Sequence, residues 1–250
     1  MAFEKINIRG VEFMNVSPAE ACEVGKEMLR GDKVCTVFTP NAEIVQLCIE
    51  QNAYYDLYNS GDMVVADGAG VVKAAKILGT PVKGKVAGVE LGEAMLAYCA
   101  ESGDGAFFLG AKPGVAELAA KNMTEKYPGL RVVGTQDGYF KKEGEESDAV
   151  IEKINASGAK LLFVCLGVPV QETWITANKD KLTSARMCMC LGGSLDVYAG
   201  TVKRAPKIFI KLSCEWLYRL LKEPKRIGRM MKLPKFLIGT YAAKWRKKDV

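Results

Sequence analysis

Apolar positions along the chain change their period repeatedly, and each change marks an element. Residues 4–16, EKINIRGVEFMNV, alternate apolar and polar positions on both sides of Gly10, which predicts a short hairpin. SPAE follows as a capping box, with Ser17 at the N-cap, Pro18 at the first helical position and Glu20 three residues after the cap. The helix this opens runs through Leu29 and stops at Gly31. From there one phrase recurs. KVCTVFT is a β-rich run followed by helical spacing over PNAEIVQLCIEQNAYYDLYNSG. MVVAD precedes the helical GVVKAAKILG, and VELGEAMLAYCAESG is helical too. GAFFLG leads to KPGVAELAAKNMTEKYPG, LRVVGTQ to EESDAVIEKINASG, and AKLLFVCLG to PVQETWITANKDKL, before ARMCMCLGG closes the series as a last strand. Short apolar runs alternating with helices of ten or more residues predict an α/β fold, a Rossmann-like and mostly parallel sheet flanked by helices.

In such a sheet, ligands bind in the crevice beyond the carboxyl ends of the strands. Six loops qualify: TPNAE, ADGAG, LGAKPG, QDGYF, LGVPVQE and LGGSLD. In VVADGAGVV, Asp67 is a lone carboxylate where an apolar run stops and glycines begin. It reads either as a proton acceptor or as the N-cap of the next helix. Asn41 is a candidate cap for AEIVQ, with Thr39 ending the strand before it. Gln171 and Glu172 fall in a first helical turn, where an acid is favoured by the helix dipole, and Asp196 is placed to cap the helix after GGS. Singly, each has a structural reading; together at one sheet edge they favour a site. FLGAKPGVAELAAK has G-x-x-x-G spacing rather than G-x-G-x-x-G and lacks a P-loop lysine and hydroxyl, so an ordinary turn suits it better than a nucleotide loop.

Composition narrows the chemistry. An apolar fraction of 49% and a charged fraction of 26% suit a soluble globular protein, and 250 residues suit one domain with an appendage. LLFVCLGVPV, the longest nearly unbroken apolar run, is about half of the ~20 residues a membrane-spanning helix needs. MAFEKINIRG does not read as a secretion signal. Eight cysteines with no C-x-x-C, and no histidine anywhere, predict free thiols in a reducing cytoplasm and no metal site. Without histidine, Ser-His-Asp and Cys-His catalysis are excluded, leaving a carboxylate, Tyr, Lys or Cys to act as base.

The net charge of +6 is segregated. From Lys203 onward, 15 Lys and Arg face three acids, Glu215, Glu223 and Asp249, while the rest of the chain is net acidic. This divides the chain into a core, 1–202, and a basic amphipathic appendage, 203–250. Phe209, Leu212, Trp216 and Leu220 form one helical stripe beside Lys211, Arg219 and Lys222; KLPKFLIGTYAAKWRKK then joins Phe236, Leu237, Tyr241 and Trp245 to a basic end. The favoured reading is contact with an anionic membrane surface. A helix packed on the core is the second reading. Nucleic acid is not expected, since no RRM or zinc-finger pattern is present. The apolar stripe also offers a surface through which two copies can pair.

Taken in order, TPNAEIV, VVADGAGVV, FFLGAKPGVAE, LGVPVQETWI, LGGSLDVYAGTVKRAPK and EWLYRLLKEPKRIGR resemble the WecG/TagA/CpsF family of glycosyltransferases, over residues 6–245. The resemblance implies transfer of a sugar, N-acetylmannosamine in the best-known members, from a UDP-sugar to a polyprenyl-diphosphate-linked GlcNAc acceptor. That reaction serves wall teichoic acid or other surface polysaccharides, at the inner face of the bacterial membrane. It further implies that Asp67 is the general base and that Thr39, Asn41 and Gln171 contact sugar or acceptor. Tyr139, Leu166 and Asp196 fall on the uridine wall, and Arg219, Arg226 and Arg229 close over the diphosphate. Lys85 and Glu90 depart from the family's common Arg and Asp, and Lys supplies one point charge where Arg supplies a fork. No D-x-D stands near a strand end, so no metal or other cofactor is expected, and a single base implies inversion by direct displacement. A nicotinamide-dependent oxidoreductase or a non-enzymatic scaffold is the alternative the Rossmann-like pattern leaves open.

Overall fold

The structure, a computed structural model, describes residues 3–202, 206, 209, 218, 228 and 231–246. A hairpin comes first, β1 (Lys5–Ile8) paired antiparallel to β2 (Val11–Met14). Next come α1 (Pro18–Arg30), β3 (Cys35–Phe38), α2 (Ala42–Glu50), α3 (Ala53–Asn59), β4 (Met63–Val64), α4 (Ala69–Leu78) and α5 (Gly88–Ser102). They are followed by β5 (Gly105–Gly110), α6 (Val115–Lys126), β6 (Arg131–Gln136), α7 (Glu145–Ser157), β7 (Leu161–Cys165) and α8 (Val170–Asn178). β8 (Met187–Cys190), α9 (Ser194–Tyr198) and α10 (Lys232–Arg246) complete the described elements. The capping box at α1 is formed as its residues predict: Ser17 Oγ accepts from the Glu20 amide, and the Glu20 carboxylate accepts from the Ser17 amide.

β3 to β8 form one sheet in the order β4-β3-β8-β7-β5-β6, with every pairing parallel. Strand side chains alternate between two buried layers. Cys188 and Cys190 enter the layer built with α2, α3, α4, α7 and α8, whereas Met187 and Met189 enter the layer built with α1, α5, α6 and α9. Burial on both faces explains why these strands read as unbroken apolar runs. The helices leaving β3 and β8 go to opposite layers, so the crevice beyond the carboxyl ends opens between these two neighbouring strands.

One predicted helix is two. Instead of running through residues 40–61, the chain breaks at Gln51, whose backbone is extended (φ −139°, ψ 91°). The break swings α3 so that Tyr58 is fully buried, its ring edge-on to Phe38 at 6.0 Å. Burying a large aromatic side chain is worth roughly 1.5–3 kcal/mol, more than the propensity lost at one polar break.

α10 lies on α2 and α4 with Phe236 and Thr240 fully buried. A methyl added at Gly70 would come within 2.7 Å of both Ala42 and Leu233, so α4 needs glycine there for the three helices to meet. Lys232 and Lys235 pair with Glu50 at 3.3 and 2.8 Å, and Arg9 Nη1 donates to the Gly239 carbonyl at 2.7 Å. The apolar residues that the sequence groups on this helix are divided between two faces. Phe236 and Leu237 turn inward, while Tyr241 and Trp245 stay exposed beside Ile238. The first predicted stripe, with Leu212, Trp216 and Leu220, lies outside the described residues. Among the described residues, no helix is long and apolar enough to cross a membrane.

Candidate active site

β4 is only two residues long, but the chain runs on extended beside β3, with the Val65 amide donating to the Phe38 carbonyl at 3.0 Å. Asp67 therefore reaches past the sheet edge. Its amide donates to the Pro40 carbonyl at 3.4 Å, which joins the ADGAG loop to TPNAE. Gly68 follows with φ +88°, a left-handed conformation that glycine adopts freely, and lies beside Asn41. Gly68 is itself the cap of α4 and has no side chain with which to bond that helix end. Asp67 thus stands one residue before the cap of α4 and not at it. One residue earlier, the Ala66 carbonyl accepts from the Val86 amide at 3.0 Å, drawing half-buried Lys85 to the same corner.

Thr39 directly follows β3 and donates from Oγ1 to the Cys190 carbonyl at 3.3 Å, bridging the ends of β3 and β8. α5 begins directly against it: a Cβ on Gly88 would sit 2.9 Å from Thr39 Oγ1. Asn41 caps α2 as its position predicts, with Oδ1 accepting from the Glu43 and Ile44 amides at 2.9 and 3.1 Å. Capping occupies the oxygen and fixes the direction of the side chain, which leaves the amide nitrogen at the loop edge.

Gln171 is buried with both ends engaged. Its Oε1 accepts from the Gly192 amide at 3.0 Å, and its Nε2 donates to Glu172 Oε1 at 2.9 Å. It ties the loop after β7 to the loop after β8. Asp196 lies within the first turn of α9, not at its cap, which is Gly193. There its carbonyl accepts from Thr201 Oγ1 at 3.0 Å and the Val202 amide at 3.1 Å, steering the chain as it leaves the sheet. Toward the other side of the crevice, the Gly138 amide donates to the Ala111 carbonyl at 2.9 Å, and Gly138 packs against Leu166. Tyr139, the next residue, is 70% exposed.

Across the edge the order is Lys85 and Asp67, Thr39 and Asn41, the Gly192 loop with Asp196, Gln171 and Leu166, and Tyr139, following the strand order β4-β3-β8-β7-β5-β6. Arg219, Arg226 and Arg229 lie outside the described residues. The residue whose role the sequence does not disclose is Glu172. First-turn placement marks it as a solvated dipole partner, yet it is 1% exposed, and burial pushes its carboxyl up to about 7 against the lowering effect of the Gln171 hydrogen bond. Only the i, i+1 pairing with a buried Gln could have signalled this. The seven described cysteines are free thiols. Burial pushes Cys48 and Cys165 up to about 12, so neither is a ready nucleophile. Among the described residues, no three His, Cys, Asp or Glu side chains form a metal-holding group.

The chain matches the Glycosyl transferase WecG/TagA/CpsF family over residues 6–250. It belongs to that family. Proteins from Staphylococcus aureus strains MW2 and COL, each named N-acetylglucosaminyldiphosphoundecaprenol N-acetyl-beta-D-mannosaminyltransferase, are 36% identical to it over 242 residues. The matches cover 96% of this chain and 93% of each relative. This glycosyltransferase family membership sets aside the oxidoreductase and scaffold alternatives.

Proposed function

We propose that this glycosyltransferase moves N-acetylmannosamine, or a closely related sugar, from a UDP-sugar to GlcNAc carried on a polyprenyl diphosphate. The product would feed cell-wall teichoic acid or another surface polysaccharide. The observation that carries the reading is the position of Asp67. It is held against the TPNAE loop by its own amide, one residue before the glycine that caps α4, in a chain that matches the family throughout.

In the proposed reaction the acceptor hydroxyl oxygen bonds to the anomeric carbon as the bond from that carbon to UDP breaks. The hydroxyl proton passes to Asp67, a transfer that supplies typically 10²–10⁴-fold in rate. One displacement inverts the anomeric centre. UDP leaves as an anion and needs no proton, but the charge growing on its diphosphate needs cations. Arg219, Arg226 and Arg229 are the proposed partners, through forked charge-assisted bonds, with Lys85 as a point charge at the corner beyond β4. This arrangement calls for no metal or other cofactor. Thr39 and Asn41 would meet the sugar or acceptor at the β3 end, and Gln171 would act there through the Gly192 loop it holds. Tyr139, Leu166 and Asp196 would border the uridine, with the exposed Tyr139 ring available for stacking.

A lipid-linked acceptor places the enzyme at a membrane. The outward face of α10 supports peripheral attachment to the anionic inner leaflet, since Ile238 and Trp245 are 70% and 71% exposed and Lys244 lies beside Trp245 on the helix. Pairing with a second copy through apolar surface of the 203–250 segment is part of the same proposal. The test is a panel of UDP-sugars offered with a short-chain prenyl-diphosphate-GlcNAc, read by product mass. A product heavier by one N-acetylhexosamine, formed from UDP-ManNAc in preference to UDP-GlcNAc, is expected. Absence of transfer from every UDP-sugar would refute the reading.

A further inference from the structure

A carboxylic acid buried behind the crevice has no part in the proton transfer, yet it sits two hydrogen bonds from the loop that begins α9. Glu172 Oε1 accepts from Gln171 Nε2, and Gln171 Oε1 accepts from the Gly192 amide. Oε2 has no hydrogen-bond partner, and neither does the buried hydroxyl of Tyr58. If the position needed only packing, an apolar residue would fill it without desolvating a carboxyl. We propose that Glu172 is a positioning residue for the donor site: it orients Gln171, which holds the Gly192 amide and so fixes the glycine loop leading to Asp196.

The reasoning runs through the chemistry of Gln171. Its amide can rotate by half a turn and exchange oxygen for nitrogen, and in the wrong orientation it would present N–H to the Gly192 N–H. An acceptor at Glu172 Oε1 selects the working orientation, because only Nε2 can donate to it. The Ser194 amide and hydroxyl close the turn onto the Leu191 carbonyl at 3.1 and 2.8 Å, while Gly192 has φ +54° and Gly193 is exposed, so the bond from the Gly192 amide to Gln171 is what ties the tip of the turn to α8. The hold also depends on charge. The groups facing the carboxyl are Tyr58 from α3, Cys48 from α2 and Cys190 from β8, and burial raises all three well above neutrality. No Lys or Arg among the described residues pairs with it. Glu172 is therefore the one group in the cluster that changes charge near neutral pH, and its ionised form is the costly one. As the pH rises through about 7, ionisation therefore favours openings that return the carboxyl to water, and such openings release Gln171.

The inference rests on the proposed use of the Asp196 loop for the donor, so its test includes a measurement that needs no catalysis. The protection factor of the Gly192 amide against hydrogen exchange, corrected for intrinsic rates, is measured from pH 6 to 8.5. The wild type is compared with Glu172→Gln, which keeps an acceptor but cannot ionise, and with Glu172→Leu, which removes it. Wild-type protection is expected to decline through about pH 7, the Gln variant to stay flat, and the Leu variant to lose about tenfold throughout. Donor KM should rise about tenfold in the Leu variant, with kcat changed less and the Gln variant near wild type at pH 6. Unaltered protection in the Leu variant, or a Gln variant that follows the wild-type decline, would overturn the proposal. Should the Leu variant not fold, the comparison of Gln with wild type decides alone. A wild type that transfers no sugar would remove the functional reading while leaving the exchange result interpretable.

Discussion

The amide of Asp67 donates to the carbonyl of Pro40 at 3.4 Å, so the one carboxylate at the end of β4 is tied to the loop that ends β3. That bond turns a position in the sequence into a place in a site. It holds Asp67 beside Thr39 and Asn41 while the same corner receives Lys85 through the Val86 amide. A base serves a sugar hydroxyl only within hydrogen-bond reach, so where the backbone puts the carboxylate decides whether the chemistry is available.

The contact between α5 and the end of β3 is tight enough to test alone. Gly88→Ala would place a Cβ 2.9 Å from Thr39 Oγ1 and 3.1 Å from its Cγ2. Threonine is stiff at χ1, so the strand end must shift and the bond to the Cys190 carbonyl must lengthen or break. We expect a stability loss of about 1–3 kcal/mol in urea titration, as overpacking gives. Activity should fall further than stability alone explains. An Ala variant with wild-type kinetics would show that this corner is not part of the reacting geometry.

Docking of α10 should depend on acid. Hydrogen bonds from Lys235 and then Gln46 hold the Glu50 carboxyl down to about 2, against about 4.3 for a free Glu. The folded state thus binds fewer protons than the unfolded state between these values. Its stabilisation is present above about pH 4.3 and is lost as pH falls through about 2. The gap in thermal midpoint between wild type and Glu50→Gln should be full at pH 7 and should close toward pH 2. A gap independent of pH would mean that Glu50 acts through packing.

The outward face of α10 should bind vesicles without supporting the fold. Replacing Ile238, Tyr241 and Trp245 by serine is expected to reduce co-sedimentation with phosphatidylglycerol vesicles by at least ~10-fold, since each large apolar side chain contributes roughly 1.5–3 kcal/mol when buried. Unfolding free energy should stay within about 0.5 kcal/mol per exposed substitution. Unchanged vesicle binding would remove this helix from the membrane contact.

How far the sequence disclosed this arrangement differs from element to element. The parallel sheet was legible because both faces of its strands are buried, which makes apolar runs such as LLFVC unmistakable between amphipathic helices. The strand-end loops were legible for the same reason, since the sheet rule selects them without any side-chain knowledge. The break between α2 and α3 was not legible, because what decides it is the distant pocket between β3 and α8 that receives Tyr58. Nor was the division of α10 into an inner and an outer face. Helical spacing places Phe236, Leu237, Tyr241 and Trp245 near one another, and only the seat on α2 and α4 determines which of them it covers. Within the site, Asp67 and Asn41 looked alike as caps. Asn41 is at the cap of α2 and bonds its amides, whereas Asp67 stands one residue before the cap of α4, a position that Gly68 takes. Glu172 was legible as a polar residue but not as a buried one, since its surroundings come from α2, α3 and β8 rather than from its own helix.

The account turns on Asp67, and the most direct measurement is single-turnover transfer with UDP-ManNAc and a short-chain prenyl-diphosphate-GlcNAc, set beside calorimetric UDP affinity, for wild type and Asp67→Asn. Turnover reduced by ~10²-fold or more with UDP affinity unchanged is the predicted result, because the acceptor hydroxyl then has no group to take its proton. Wild-type turnover in the Asn variant would contradict the account.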